Sequence, residues 1–244
     1  FVVNSSDNVQ DLDIRFRSSG KIPELWFPDT GNRKPVPYKF ADSLTTVSLT
    51  LPQYGSAFVV FRNASQQKSN IFLNEIKTTL KTVDGTWELC FPSHLVRPDK
   101  IEIEHLQSWT EHTNSGVKYF SGTATYHKTI NAPSEWFQKE TELMLDLGQV
   151  MDIAEVAING KSLGIGWKPP YVFNVTDVLE PGRNQLRIQV TNQWMNRLLG
   201  DRNPEVEQVL FVVLHPDTLR TAEVEDDLVA LLEEDVHVVL PRAR

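Results

Sequence analysis

The chain has 244 residues and a net charge of -8, with 40% hydrophobic and 23% charged residues. This composition is ordinary for a folded globular protein and argues against disorder as its main state. No run of Lys or Arg supplies the basic patch that nucleic-acid binders present, so we expect no nucleic-acid partner. No stretch approaches the roughly 18 apolar residues of a membrane span, so no membrane partner is expected either.

Apolar and polar residues alternate with a period of two in segments 11–17, 46–51 and 185–190. This alternation places apolar side chains on one face of a strand and polar ones on the other. Turn signals separate such segments at short intervals: Ser19-Gly20, Asp29-Thr30-Gly31, Asp84-Gly85, Asn159-Gly160 and Pro181-Gly182. The pattern predicts an all-β fold made of antiparallel sandwiches, because the alternating strands and helices of a parallel sheet are absent.

The strongest local signal is Asn159-Gly160, which lies between two segments of strand-like composition. Asn-Gly suits a two-residue hairpin turn, in which both central residues need a positive φ. The pair Pro169-Pro170 follows and predicts an extended loop, because proline donates no backbone hydrogen bond to a sheet. Trp167 and Tyr171 flank this loop.

The composition divides the chain into four segments. Residues 1–64 are predicted to form a partial β-sandwich, and residues 65–82 are predicted to be a polar linker or crossing strand. Residues 83–202 form a second β unit, and residues 203–244 form an atypical acidic tail.

Six motifs follow one another in the second β unit, at 122–126, 145–148, 156–161, 166–171, 177–184 and 190–198. Their order resembles the galactose-binding-like jelly roll that is the sugar-binding domain of family 2 and related glycoside hydrolases. Together with segments 1–4, 23–31 and 54–61, it is similar to the C-terminal region of glycoside hydrolase family 106, the α-L-rhamnosidases. The resemblance covers residues 1–202.

The resemblance implies a (β/α)8 barrel that carries the acidic catalytic residues and lies outside this chain. A barrel needs about 200 to 250 residues of alternating strands and helices, a pattern that this chain lacks. We therefore assign no catalytic residue and expect the chain to pack on a missing barrel. The chain begins with Phe1, so we expect its true N-terminus to be missing. The resemblance also implies a periplasmic or extracellular location.

No residue pattern predicts a metal, a cofactor or a nucleophile. Glu102 and Glu104 flank Ile103 in a predicted strand and are expected on its solvated face. The single cysteine, Cys90, excludes an intrachain disulfide and is interpreted as a small buried residue. Four histidines lack the spacing of a metal site or a triad: His94, His105, His112 and His127.

Aromatic residues are the candidates for sugar binding, because the apolar C–H faces of sugars stack on rings. We select Trp109, Trp167 and Tyr171 as possible carbohydrate-binding residues. The alternative is that these three rings only pack onto the sandwich. Trp87 and Trp194 lie in strand patterns and are predicted to be core residues.

Three functions stay open at this point. The leading hypothesis is a non-catalytic accessory region of a glycoside hydrolase, with carbohydrate as its partner. The alternatives are a self-standing carbohydrate-binding module and a structural β-sandwich without a sugar ligand. The same sandwich fold serves all three functions, so fold alone does not separate them.

The tail differs from the rest of the chain. It carries ten acidic residues and lacks Gly, Ser, Lys, Trp and Tyr. We expect the family resemblance to stop near Arg202 and the tail to be poorly integrated, as a shifted reading frame would produce. The rival hypothesis is a native extension whose segment 209–214 adds a strand to the sandwich.

Overall fold

The computed structural model describes residues 1–71, 76–92, 98–139, 141–203 and 237–242, the last six and residues 76 and 77 by their backbone only. The chain divides into two compact units, Phe1–Ile76 and Lys77–Arg242. Both units consist mainly of antiparallel sheets, which confirms the predicted all-β class. Among the described helices, none has the length and apolar character that a membrane span requires.

The first unit is built from two four-stranded sheets. One sheet has the order β1-β7-β3-β4 and the other has the order β2-β6-β5-β8. The strands are β1 (Val2–Val3), β2 (Gln10–Phe16), β3 (Lys21–Trp26), β4 (Arg33–Pro35), β5 (Tyr38–Ala41), β6 (Leu44–Leu51), β7 (Ser56–Ala64) and β8 (Ser69–Asn70).

The core of the first unit follows directly from the period-two pattern. In β6, Val47, Leu49 and Leu51 are buried, whereas Ser48 and Thr50 are exposed. The exposed hydroxyls donate hydrogen bonds of 2.5 Å to Asp13 and Asp11 on the neighbouring β2. The buried apolar side chains of this unit form one cluster: Leu25, Val36, Tyr38, Val47, Leu49, Leu51 and Ala57.

The second unit contains a six-stranded sheet of order β11-β10-β12-β17-β14-β15 and a four-stranded sheet of order β16-β13-β18-β9. Its first strands are β9 (Ile76–Thr82), β10 (Trp87–Cys90), β11 (Lys100–Ile103) and β12 (Thr123–Ala132). Then follow β13 (Met144–Asp146), β14 (Ile153–Ile158), β15 (Lys161–Gly166), β16 (Val172–Asn174), β17 (Gly182–Thr191) and β18 (His237–Arg242). The helices are two 3₁₀ turns, Trp109–Glu111 and Ser134–Trp136, and the short α1 (Ser115–Lys118) and α2 (Met195–Asp201).

Apolar residues from both sheets enclose one core in the second unit. Leu186 and Ile188 on β17 and Leu145 on β13 belong to the same buried cluster. The pairing of β12 with β17 extends over ten residues and forms the centre of the six-stranded sheet. Burial of this apolar area is the main stabilising contribution, at about 25 cal/mol for each Å² removed from water.

The structure shows strands in two segments that the sequence analysis set apart, the segment 65–82 and the tail 203–244. Segment 65–82 is not only a linker, because β8 and β9 lie within it. The tail contributes β18, which pairs antiparallel with β13 from His237↔Asp146 to Val239↔Met144. Segment 209–214, which the sequence analysis considered as a further strand, lies outside the described residues.

Candidate functional site

The predicted hairpin at Asn159-Gly160 is present and connects β14 with β15. Ile158 pairs with Lys161, so the loop consists of Asn159 and Gly160 alone. Their φ angles are +51° and +79°, as a two-residue turn of the primed type requires. The hairpin forms one edge of the six-stranded sheet.

A buried asparagine fixes this turn to its neighbour in the fold. Asn159 donates a hydrogen bond of 2.8 Å from Nδ2 to Oδ1 of Asn184, which is fully buried. The Nδ2 group of Asn184 donates in turn to the carbonyl oxygens of Glu180 and Gly182, at 2.7 and 3.0 Å. Since unpaired polar groups are costly in a core, this network holds the turn in one conformation.

Exposed apolar side chains lie on the hairpin strands β14 and β15 and just after them, and we call this group the Trp167 patch. It consists of Ile153, Ile165 and Trp167, and the Trp167 side chain is 60% exposed. Ile165 pairs in register with Glu155, whose carboxylate lies 4.0 Å from the guanidinium of Arg187. The patch therefore presents an exposed indole, with the ammonium of Lys168 at 5.9 Å from its ring centroid, and a pair of opposite charges beside Ile165.

The backbone before Trp167 is held by two buried rings. A Cβ atom on Gly166 would lie 2.9 Å from Cδ1 of Tyr171 and 3.1 Å from Cζ of Phe173. Only glycine allows these rings to approach so closely. Tyr171 is 5% exposed and donates a hydrogen bond of 2.7 Å to the carbonyl oxygen of Asp152. Burial raises the pKa of Tyr171 to about 12.

Trp109 lies inside the second unit. Its side chain is 2% exposed, and its Nε1 donates a hydrogen bond of 2.6 Å to Oη of Tyr126. The ring also packs edge-on against Phe91 and Phe120, with centroid distances of 5.9 and 5.5 Å. We call Phe91, Trp109, Phe120 and Tyr126 the aromatic core cluster. Because Trp109 and Tyr171 are buried, neither ring is accessible to a sugar. Of the three selected residues, only Trp167 is exposed enough to stack on one.

The sequence analysis predicted that Trp87 and Trp194 are core residues, and only one of these two predictions is confirmed. Trp87 is 1% exposed, which confirms that it is a core residue. The prediction for Trp194 is wrong, because its side chain is 66% exposed. Strand β17 ends at Thr191, and Trp194 precedes α2, so the alternation of the strand no longer governs its direction. The sequence signal for this exposure is that the apolar alternation ends at Val190, four residues before Trp194.

A cluster of polar side chains lies on the outer face of the six-stranded sheet. Donor atoms of Glu88, Cys90 and His127 all lie within 4.8 Å of one another. Cys90 is half-buried and shares its face with Glu88, so the expectation of a buried cysteine is wrong. Burial raises the pKa of the Cys90 thiol, and the adjacent Glu88 carboxylate raises it further. A salt bridge of 2.6 Å from Lys100 to Glu88 lowers the pKa of that carboxyl.

The two predicted surface acids and the other histidines have the following positions. Glu102 and Glu104 are exposed, as predicted from their positions around Ile103. His105 and His127 are also exposed, and His94 lies outside the described residues. The described part of this unit thus presents two candidate features, the exposed aromatic surface around Trp167 and the polar cluster of Glu88, Cys90 and His127.

The antiparallel sheets of the second unit are consistent with a β-sandwich of the galactose-binding-like fold. Residues 95–224 match the family described as "Glycosyl hydrolase 2 galactose-binding domain-like". The match covers more than half of the 244 residues, so the chain belongs to this family.

Two relatives are informative beyond the family. A protein named "Putative beta-glucuronidase", from Formosa agariphila, is 35% identical over 196 residues, which are 78% of this chain and 16% of that protein. The solved structure of a rhamnosidase from Novosphingobium sp. PP1Y is 32% identical, with a TM-score of 0.86. This match covers 98% of the chain and 22% of the rhamnosidase. The chain therefore spans less than a quarter of either relative.

These matches correct the expectation for the tail. The family match continues to residue 224, well beyond Arg202. Strand β18 is also hydrogen-bonded to β13 within the four-stranded sheet. The family match contradicts the expectation that the resemblance stops near Arg202, and the strand pairing shows that residues 237–242 are part of a sheet.

Proposed function

We propose that this chain is a non-catalytic, sugar-binding accessory region of a glycoside hydrolase of the α-L-rhamnosidase type, family 106. The observation that carries the proposal is the match to the rhamnosidase, at 32% identity over 98% of the chain. Because the chain corresponds to 22% of that enzyme, the catalytic carboxylates are assigned to other parts of the parent protein.

In this proposal the Trp167 patch provides the contact with the sugar. The exposed indole of Trp167 stacks on the apolar C–H face of a sugar ring, and Ile165 extends the apolar contact. The neighbouring Glu155 and Arg187 are placed to exchange hydrogen bonds with sugar hydroxyls. Binding at this surface raises the local concentration of substrate near a tethered catalytic domain.

The test measures binding of an α-L-rhamnose-containing oligosaccharide to the chain by calorimetry. Trp167→Ala is expected to weaken binding by about 1 to 3 kcal/mol, the effect of removing a central aromatic contact. The matched control is Trp194→Ala, since Trp194 is equally exposed but outside the patch. If the Trp167 variant binds the oligosaccharide with unchanged affinity and has an unchanged melting temperature, the patch is not the sugar-binding surface.

The parent activity needs a separate assay. A second candidate is a β-glucuronidase region, which the 35% identity to the Formosa agariphila protein favours. The parent polypeptide is assayed with an aryl α-L-rhamnoside and an aryl β-glucuronide, and the proposal expects hydrolysis of the rhamnoside. The 244-residue chain alone is expected to hydrolyse neither. Turnover by the chain that a point mutation within it abolishes would contradict the non-catalytic role.

A further inference from the structure

A cleft in the first unit has no part in the function proposed above. It has a volume of about 470 Å³ and lies on the sheet β1-β7-β3-β4. Its polar lining is Glu24, Arg33, Lys34, Arg62 and Asn63, and two apolar residues complete its wall. The volume falls in the range of roughly 300 to 1,000 Å³ that is usual for small-ligand sites.

The indole ring of Trp26 contacts the side chains of two arginines that line this cleft. Trp26 on β3 pairs in register with Arg33 on β4, and Cζ of Arg33 lies 4.3 Å from the ring centroid. Cζ of Arg62 lies 5.5 Å from the same centroid. The ring itself is fixed, because its Nε1 donates a hydrogen bond of 3.0 Å to the carboxylate of Glu24. Cation–π attraction therefore keeps both guanidinium groups beside the cleft.

The two guanidinium groups are accessible to an anion from solution. Within the part of the chain that the structure describes, neither Arg33 nor Arg62 forms an ion pair with a carboxylate. The nearby Glu24 receives hydrogen bonds from Trp26 and Asn63 instead. Both arginines are exposed, and they project from a chain whose net charge is -8. Guanidinium groups in this state bind carboxylates and sulfates through paired hydrogen bonds.

We propose that this cleft binds an anionic saccharide unit, one that carries a carboxylate or a sulfate ester. Arg33 and Arg62 bind the anionic group, and Lys34 adds positive charge at the rim. Asn63 and Glu24 are placed to bind ring hydroxyls. The apolar wall of Ile22 and Pro35 faces the C–H groups of the sugar ring. This combination of cations, an amide and apolar carbon suits an acidic sugar better than a free inorganic anion.

The experiment measures binding of three oligosaccharides to the 244-residue chain by calorimetry at about 0.1 M salt, where long-range attraction is largely screened. An oligogalacturonide presents carboxylates, a sulfated galacto-oligosaccharide presents sulfate esters, and a neutral galacto-oligosaccharide presents neither. We expect saturable binding of one or both acidic ligands, and the tighter ligand identifies the anionic group. In the double variant Arg33→Gln/Arg62→Gln the acidic ligand is expected to bind at least about tenfold more weakly.

The matched control is the double variant Arg15→Gln/Arg17→Gln. Both residues are exposed in the first unit but outside the cleft, so the variant changes net charge equally. The control is expected to shift the dissociation constant less than about twofold. Three results would contradict the proposal. The first is that no acidic oligosaccharide shows saturable binding, and the second is that inorganic sulfate binds as tightly as the oligosaccharides. The third is that both double variants weaken binding equally. Trp167→Ala is expected to leave this binding unchanged, so failure of this proposal and failure of the proposed function are distinguishable.

Discussion

The aromatic core cluster and the Trp167 patch lie in the same compact unit but have opposite environments. Trp109 packs against Phe91, Phe120 and the hydroxyl of Tyr126, so its indole N–H is bonded and its ring is buried within the protein. Trp167 follows the edge strand β15 and keeps most of its surface in contact with water. The comparison teaches that the packing around a ring, and not its residue type, decides whether it stabilises the fold or stays exposed to water.

The largest expected effect tests the core side of this comparison. Trp109→Ala should lower the free energy of unfolding by about 3 to 5 kcal/mol, because it removes a buried ring, leaves a cavity and deprives Tyr126 of a donor. Trp167→Ala should change the free energy of unfolding by less than about 0.5 kcal/mol, as expected for an exposed side chain. Urea titrations of both variants provide the measurement. Equal losses of stability would show that Trp167 is a packing residue.

A smaller effect is expected where the patch meets the core. Gly166→Ala introduces a Cβ atom 2.9 Å from the ring of Tyr171, so either the ring or the β15 backbone must move. We expect a loss of about 1 to 3 kcal/mol in the free energy of unfolding, the usual cost of an overpacked site. Gly160→Ala is not a suitable control, because its φ of +79° adds strain of its own.

A control without strain or close contacts is Ser162→Ala on the same strand. Ser162 is exposed, and its hydroxyl accepts one hydrogen bond from the backbone of Gly164. Ser162→Ala is expected to cost less than about 1 kcal/mol. If Gly166→Ala costs no more than this control, the close packing of Tyr171 and Phe173 does not determine the position of Trp167.

The parts of this arrangement that the sequence predicted are those set by local chemistry. Asn159-Gly160 forms its turn because both residues tolerate a positive φ, a property that depends on no distant contact. The period-two alternation likewise predicted the buried residues of β6 and β17. By contrast, the burial of Trp109 depends on Tyr126, which is 17 positions away, and on the strands that bring the two together.

Long-range packing also explains the other failures. Tyr171 is covered because Gly166 permits its approach and Asp152 accepts its hydroxyl, and neither contact has a local sequence signal. The tail was expected to stand apart because of its acidic composition, yet β18 pairs with β13, about 90 residues earlier in the chain. Composition describes how a segment interacts with water, but it does not reveal an open strand edge elsewhere in the fold.

The last effect concerns the ring that supports the patch and is seen only in alkaline solution. The pKa of Tyr171 is about 12 in the folded chain and about 10 when the phenol is exposed to water. The folded state therefore holds this proton more tightly than the unfolded state. The resulting contribution to stability is complete below about pH 10 and is lost as the pH rises toward 12.

Urea titrations between pH 8 and pH 12 test this dependence. The free energy of unfolding of the unmodified chain should fall with rising pH above about pH 10, and Tyr171→Phe should fall less steeply because it lacks this proton. Some slope should persist in Tyr171→Phe, since burial also raises the pKa of Tyr126 in the aromatic core cluster. Parallel curves would mean that Tyr171 titrates alike in both states. In that case water reaches its hydroxyl, and the backbone before Trp167 lacks the buried support that separates the patch from the core.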